Sequence, residues 1–233
     1  MISLMYNPKE VFMEFNLEEW LGELTKKLFD TFEGRIKFIG LQGSYKRNEA
    51  TDTSDVDVIV ILDKIQLNDL QSYHKIIQSM PFKEKACGFV SGLDEIYHWP
   101  KYELFQLFND TVSLYGEFKD FVPLIKRTDA IPAVQTNIAN LYHMLSHSYL
   151  FENNLIETLK QGYKNVFYIL QTEYYIDNYK YIETKQELLE LLQGEDREML
   201  AICINMKSLD FSVNPDFYFE KLLNWTKKNL TRY

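Results

Sequence analysis

The chain has 233 residues, of which 46% are hydrophobic, and its formal net charge is -9 at pH 7. This length suits one large domain or two modest ones, and the apolar content excludes a disordered chain. The negative charge argues against an extended nucleic-acid-binding surface, which needs clustered lysine and arginine to neutralise phosphates.

The sequence also lacks the marks of export and of membrane insertion. No basic segment followed by a long apolar stretch opens the chain, and the longest apolar run, residues 56–62, is interrupted by Asp57. Cys87 and Cys203 lie far apart without metal-ligand spacing, which predicts free thiols in a reducing compartment. We therefore expect a cytoplasmic, soluble protein with no membrane segment.

The first part of the chain predicts helices and short strands in alternation. Asn16 can cap a first helix whose leucines recur at helical spacing, and Gly34 is placed to end it. The strand at 55–62 is apolar on both faces after Asp57, so it should be central in its sheet. The elements expected here are a helix at 16–32, a strand at 36–41, one or two helical turns at 45–50, a strand at 55–62, a helix at 67–80 and a strand at 86–90.

The second part of the chain predicts helices. Residues 104–108 are ambiguous between helix and strand, and residues 112–115 predict an edge strand. Pro123 and Pro132 bracket a polar stretch at 119–133, where we expect a domain boundary. The amphipathic segments that follow are 137–151, 155–175, 184–192, 196–205 and 215–230. The predicted fold is α/β (α+β): a domain with a small mixed sheet at 1–118, then an α-helical bundle at 119–233.

Two carboxylates open the central strand. Asp55 and Asp57 are two residues apart, so both side chains project from the same face of the strand. Neighbouring carboxylates repel each other unless a cation lies between them. Oxygen ligands on one rigid strand suit Mg²⁺, whose shell is completed by water and substrate phosphates.

Gly43 and Ser44 lie between the preceding strand and the expected helical turns. Glycine lets a phosphate approach the backbone, and the amides of a helix start together with the Ser44 hydroxyl would bind it. One segment would then hold a triphosphate, and Asp55 and Asp57 would hold the metal that bridges it. Phosphoryl and nucleotidyl transfer require both a segment that binds the triphosphate and a metal site beside it.

The segments from Gly43 to Ala50 and from Ser54 to Val60 resemble the signature of the DNA polymerase beta-type nucleotidyltransferase superfamily. That signature is Gly-Ser, a spacer of about ten residues, then Ser-Asp-x-Asp-apolar on a strand. The segment is most similar to the small bacterial branch that includes the antibiotic (aminoglycoside and lincosamide) nucleotidyltransferases and the minimal nucleotidyltransferases. A weaker resemblance to the accompanying helical domain covers residues 179–192.

The resemblance implies transfer of a nucleoside monophosphate, expected to be AMP, from a triphosphate such as ATP to an acceptor hydroxyl, with release of pyrophosphate. Two Mg²⁺ ions would be held mainly by Asp55 and Asp57. The residues expected to contact the nucleotide are Gly43, Ser44, Lys46, Arg47 and Ser54.

The resemblance also implies a third carboxylate, as metal ligand or general base, and the sequence does not assign it. The strand at 86–90 carries no acid. The candidates are Asp94, Glu95, Glu103 and Asp110, and we favour Glu103 because a base has to reach the acceptor hydroxyl.

The acceptor is expected to be a small molecule such as an antibiotic, bound between the sheet domain and the helical domain. A protein or RNA acceptor, as in toxin–antitoxin nucleotidyltransferases, is one alternative. A non-catalytic nucleotide-binding module without the third carboxylate is another, and a homodimer is left open. The tyrosines at 163–181 are expected mainly to pack in the helical core, and Lys185 is expected to be solvated. Zinc binding by His143 and His147 is disfavoured because no third ligand is evident.

Overall fold

The computed structural model describes residues 14–232. The expectation of an absent leader concerns residues 1–13, which lie outside this range. The strands are β1 (Ile36–Gln42), β2 (Val56–Leu62), β3 (Ala86–Gly92) and β4 (Val112–Tyr115). The helices are α1 (Leu17–Phe32), α2 (Gly43–Lys46), α3 (Leu67–Gln78), α4 (Leu93–His98), α5 (Lys101–Asn109), α6 (Arg127–Phe151), α7 (Leu155–Asn178), α8 (Lys185–Leu191), α9 (Gly194–Asn205) and α10 (Pro215–Leu230). None of these helices is long and apolar enough to cross a membrane.

The four strands form one mixed sheet in the order β3-β2-β1-β4. Strand β1 pairs antiparallel with β2 and β4, and β2 pairs parallel with β3. The central position predicted for β2 and the edge position predicted for β4 are therefore confirmed. Alternating residues of β2 pack into different clusters: Val58 and Val60 lie against α1 and α3, whereas Ile59 and Ile61 face α4 and α5. Asp57 has the same parity as Ile59, so its side chain faces α5.

Helices α6, α7, α9 and α10 surround an apolar core that includes Trp225, Tyr163 and Phe167, all fully buried. Helix α5 joins the two parts, because Phe105 packs into this helical core while Leu104 packs beneath the sheet. The α/β fold with a small mixed sheet followed by an α-helical bundle is thus confirmed. The division into 1–118 and 119–233 stays a prediction.

Two local expectations around β1 were wrong. The left-handed turn that ends α1 falls on Glu33, at φ 45, whose N–H bonds the Phe29 carbonyl, and not on Gly34. Arg35, two residues later, donates to Asp63 at 3.0 Å and to Asp69 at 2.6 Å, which fixes the chain where β1 begins. The helical turns expected at 45–50 begin at Gly43 and end at Lys46, because the chain turns directly after the strand.

The start of α6 also differs from the expectation. The helix begins at Arg127, ten residues before the expected start at Asn137, and Pro132 lies inside it rather than at a boundary. A capping box explains the earlier start, since the Asp129 carboxylate accepts from the Lys126 N–H at 2.7 Å. Residues 104–108, ambiguous in sequence, are helical within α5.

Candidate active site

The Gly-Ser bend and the aspartate pair meet where β1 ends and β2 begins. Gln42 is paired with Asp57 across the two strands, so Gly43 follows directly beside that carboxylate. Gly43 has φ +72, and a Cβ placed on it would overlap Oδ2 of Asp57. Only glycine fits both the left-handed backbone and this close approach. The bend therefore lies directly against the Asp57 carboxylate.

Replacing Gly43 by alanine is expected to destabilise the fold and to displace Asp57. The left-handed conformation alone costs about 1–2 kcal/mol for a residue with a side chain, and the overlap adds to this. Urea unfolding monitored by circular dichroism measures the loss. Gly34→Ala is the matched control, because Gly34 has no atom near its absent Cβ and no positive φ. Equal unfolding midpoints for the two variants would contradict the packing of Gly43 on Asp57.

The two aspartates differ in exposure and in charge environment. Asp55 is exposed and Asp57 is half-buried. Burial raises the pKa of Asp57, and the negative charge of Asp55 raises it further, while a hydrogen bond from Cys87 and the charge of Arg47 oppose the rise. A cation bound between the carboxylates would relieve this repulsion, and their oxygen donors suit Mg²⁺. Within residues 14–232 there is no group of three or more Asp, Glu, His or Cys side chains that could hold a metal ion.

A first cavity, of about 750 Å³, lies on one side of the bend. Ser44, Thr51 and Ser54 contribute hydroxyls to its wall, and Ser54 Oγ also accepts from the Thr51 N–H at 2.9 Å. Its charged wall residues are Arg47, Glu49, Asp55, Asp57, Lys164, Lys185 and Lys207. Four of these seven side chains are cationic, although the whole chain is acidic. Cationic side chains therefore outnumber acidic ones by one on this wall.

A second cavity, of about 550 Å³, lies on the other side of Asp57. Its charged wall residues are all acidic: Asp57, Glu103 and Asp110. The neutral polar and aromatic residues of the wall are Gln42, Gln106, Asn137, Asn140, Asn165, Phe89, Trp99, Tyr102 and Tyr168. The two cavities share Gly43, Asp57 and Tyr168, so the aspartate stands on their common wall.

A chain of alternating charges runs beneath the bend and joins the sheet to the helical part. Arg47, which is buried, donates to Asp110 and, at 3.2 Å, to Glu49. Glu49 in turn accepts from the backbone N–H of Lys185 at 2.7 Å and from its side-chain amine. Burial by itself would raise the pKa of Glu49, but the hydrogen bonds from Lys185 bring it below its ordinary value. Arg47 also lies over the ring of Phe167, with its guanidinium carbon 5.5 Å from the centroid.

The predicted nucleotide-contacting residues are not all in the same place. Gly43, Ser44, Arg47 and Ser54 line the first cavity. Lys46 packs away from that wall, with Nζ 2.7 Å from Glu183 Oε2 and 4.0 Å from Asp110 Oδ1. Contacts of Lys46 and Arg47 with phosphate stay predictions, and both side chains are already engaged with acids.

The four candidates for the third carboxylate lie in two different places relative to Asp57. Cys87 pairs with Asp57 along the parallel strands, and Gly92 lies five residues further on, about 16 Å away. Asp94 and Glu95 follow Gly92, so they lie at the opposite end of the sheet. Glu103 and Asp110 both line the second cavity beside Asp57. Asp110 is committed to Arg47, whereas Glu103 is exposed.

Sequence reasoning favoured packing for the tyrosines at 163–181 and solvent for Lys185, and it did not identify the other helical residues of the two cavities. Gln161, Lys164 and Tyr168 follow one another at helical spacing along α7, and all three line the first cavity. Asn137 and Asn140 are three residues apart on α6 and line the second. Polar residues at helical spacing along these helices were the available signal.

The fold and the geometry of the bend are together those of a nucleotidyltransferase domain. The sequence agrees: the model of the family described as nucleotidyltransferase domain matches residues 23–129, which include the bend and the aspartate pair. The chain belongs to this family.

Two similar proteins illustrate the relationship. A protein of Methanocaldococcus jannaschii, described as a candidate protein adenylyltransferase, is 33% identical over 72 residues, which are 31% of this chain and 67% of that protein. The spectinomycin adenyltransferase AAD(9) from Enterococcus faecialis, solved with ATP and spectinomycin, superimposes with a TM-score of 0.58. That alignment covers 91% of this chain and 100% of the other, at 14% identity, which shows a shared fold.

Proposed function

We propose that this protein transfers a nucleoside monophosphate, AMP in the first instance, from a nucleoside triphosphate to a hydroxyl of a small-molecule acceptor, and releases pyrophosphate. The observation that carries this proposal is the position of Asp57 on the wall common to the two cavities. A reaction that joins two substrates needs its reacting atoms brought together at such a junction.

The first cavity suits the triphosphate. Lys164 and Lys207 supply positive charge, and the Gly43 backbone can approach a phosphate because it has no side chain. Lys164 and Lys207 are exposed on the far wall, at a position to meet the phosphates of an incoming nucleotide. ATP is the expected nucleotide because the structurally similar spectinomycin adenyltransferase was solved with ATP.

Asp55 and Asp57 would hold Mg²⁺ at the mouth of this cavity. When bound, the metal would neutralise phosphate charge and orient the triphosphate. The chain's own contribution is to place Asp57 on β2, with Asp55 directly before that strand, and to hold Asp57 against the bend at Gly43.

The second cavity suits the acceptor. Its volume lies within the range of small-ligand pockets. The side-chain amides on α6 and α7 can bond hydroxyls, and Phe89 and Trp99, with ring centroids 5.1 Å apart, offer an aromatic wall. Among the described wall residues the formal charge is entirely negative, which favours a hydroxyl-rich cation over an anion. Glu103 would accept the proton of the attacking hydroxyl.

A protein hydroxyl is the second candidate acceptor. It is favoured by the relative from Methanocaldococcus jannaschii that is described as a candidate protein adenylyltransferase. A tyrosine, serine or threonine side chain on an exposed loop would have to enter the second cavity.

Calorimetric titration with Mg–ATP, followed by pyrophosphate release over a panel of aminocyclitols, polyols and peptides, tests the proposal. We expect nucleotide binding and release that depends on the acceptor. Glu103→Gln should lower kcat by roughly a hundredfold if Glu103 is the base, with nucleotide affinity unchanged. Glu190→Gln, an exposed acid on α8, is the matched control. Binding without release over the whole panel would make the protein a nucleotide-binding module, and the absence of binding would refute the site.

A further inference from the structure

Tyr168 occupies a position in the site that the proposed roles of the other residues leave unexplained. Among the described residues it is the one side chain of the helical part that lines both cavities. The other two residues common to both walls, Gly43 and Asp57, belong to the sheet part. Tyr168 therefore brings a side chain of the helical part to the wall that Gly43 and Asp57 share between the cavities.

The Tyr168 ring lies beside a cation that cannot take its proton. The Arg47 guanidinium carbon is 5.8 Å from the ring centroid. A guanidinium has donors only, so it cannot accept a hydrogen bond from the phenol. Arg47 is itself held by Asp110 and is buried, which keeps this arrangement in place. The phenol proton is consequently available to another acceptor at the junction.

The junction is also where negative charge would develop during transfer. In the reaction proposed above, a bond forms between the acceptor oxygen and the α-phosphorus while the bond from that phosphorus to the bridging oxygen breaks. Pyrophosphate leaves with the bonding pair, and the acceptor proton goes to a base. The non-bridging oxygens of the α-phosphoryl group carry charge as the bonds change. A fixed O–H donor aimed at them stabilises that charge.

We infer that Tyr168 is a further catalytic residue, whose O–H donates a hydrogen bond to a non-bridging oxygen of the α-phosphoryl group during transfer. This inference rests on the proposed function. Tyr168 keeps its proton throughout and exchanges no electrons with the substrates. Its contribution is made at the reacting centre, so it should affect the rate of transfer far more than the affinity for the nucleotide.

Tyr168→Phe tests this role in the full-length chain. The variant keeps the ring and removes only the hydroxyl. Its matched control is Tyr163→Phe, five residues earlier on α7, which removes a buried hydroxyl that donates to the Tyr218 carbonyl at 3.0 Å and lines neither cavity. The readouts are the dissociation constant for Mg–α,β-methylene-ATP, the rate of pyrophosphate release with the acceptor panel and with water alone, and the thermal midpoint.

We expect Tyr168→Phe to bind the nucleotide within about twofold of the wild type and to release pyrophosphate on the order of a hundredfold more slowly. Tyr163→Phe should lower the thermal midpoint and leave the transfer rate unchanged. Wild-type rates in Tyr168→Phe, or a parallel loss of rate and nucleotide affinity, would overturn the inference about Tyr168 but not the proposed function. A wild-type protein that releases no pyrophosphate under any condition would overturn the proposed function and this inference together.

Discussion

Replacing Asp57 by asparagine is expected to abolish nucleotide transfer while leaving the protein folded. The substitution keeps the shape of the side chain and removes the charge that would hold Mg²⁺ beside the bend. Metal-based charge stabilisation amounts to several kcal/mol, so the rate should fall roughly a thousandfold or more. Pyrophosphate release under saturating Mg–ATP measures the loss.

The same substitution should increase stability at neutral pH. In the folded protein, burial and the neighbouring Asp55 raise the pKa of Asp57. An acid whose pKa is higher in the folded state destabilises that state once it is ionised, so its charged form opposes folding above the folded pKa. Asparagine removes this opposition. Loss of activity with gain of stability is the combination expected of a carboxylate retained for binding a cation rather than for packing.

Asp52→Asn is the matched control for this experiment. Asp52 is exposed and lies three residues before Asp55, outside the pair, so the change in net charge is the same. We expect its transfer rate to stay within about twofold of the wild type, because exposed charges act weakly through water. If Asp57→Asn transferred at the wild-type rate, the aspartate pair would not be the metal site.

The part of this site that the sequence predicts is the part built from local signals. Gly43 and Asp57 are fourteen residues apart, and the two-residue repeat of a strand predicts that Asp55 and Asp57 project from one face. The mixed sheet and the helical bundle follow from equally local periodicities. For these features, spacing along the chain determines position in the fold.

The features of the site that the sequence does not predict depend on contacts between residues that are distant in sequence. Arg47 meets Asp110 across 63 positions, and Glu49 meets Lys185 across 136. Nothing in the local sequence indicates that Arg47 will be buried in an ion pair, since an arginine beside a phosphate-binding bend reads equally well as a phosphate ligand. Tyr168 enters the site because α7 crosses both cavities, and such placement follows from helix packing, not from a motif.

The second prediction with a large expected effect concerns Glu173, a buried acid that lines neither of the two cavities. The residue lies in α7 and is 3% exposed, and within residues 14–232 neither carboxylate oxygen has a hydrogen-bond partner. Burial raises its pKa from 4.5 to about 7; the charges of Asp196 and Asp177 add to the rise, and Arg232 opposes it. Arg232 lies near the carboxylate, with Nη1 3.8 Å from Oε2, and also bonds Asp177 at 2.7 Å.

This pKa determines how stability depends on pH. The folded state holds the Glu173 proton more tightly than the unfolded state does. Glu173 therefore does not lower the free energy of unfolding below about pH 4.5, and it lowers that free energy by the full amount above about pH 7. The full amount is about 3 kcal/mol, at 1.36 kcal/mol for each unit of pKa. The contribution of this residue to stability therefore falls as the pH rises between these two values.

Glu173→Gln is expected to remove that dependence. Glutamine stays neutral at every pH, so the variant should be more stable than the wild type at pH 8, by up to about 3 kcal/mol, and nearly equal to it at pH 4.5. Urea unfolding at the two pH values gives both differences. Glu157→Gln, an exposed acid in the first turn of the same helix that pairs with Lys160 at 3.5 Å, should change stability little at either pH. A Glu173→Gln variant that is less stable than the wild type at pH 8 would mean that the ionised carboxylate stabilises the bundle through Arg232. In that case burial would not be the dominant effect on this acid.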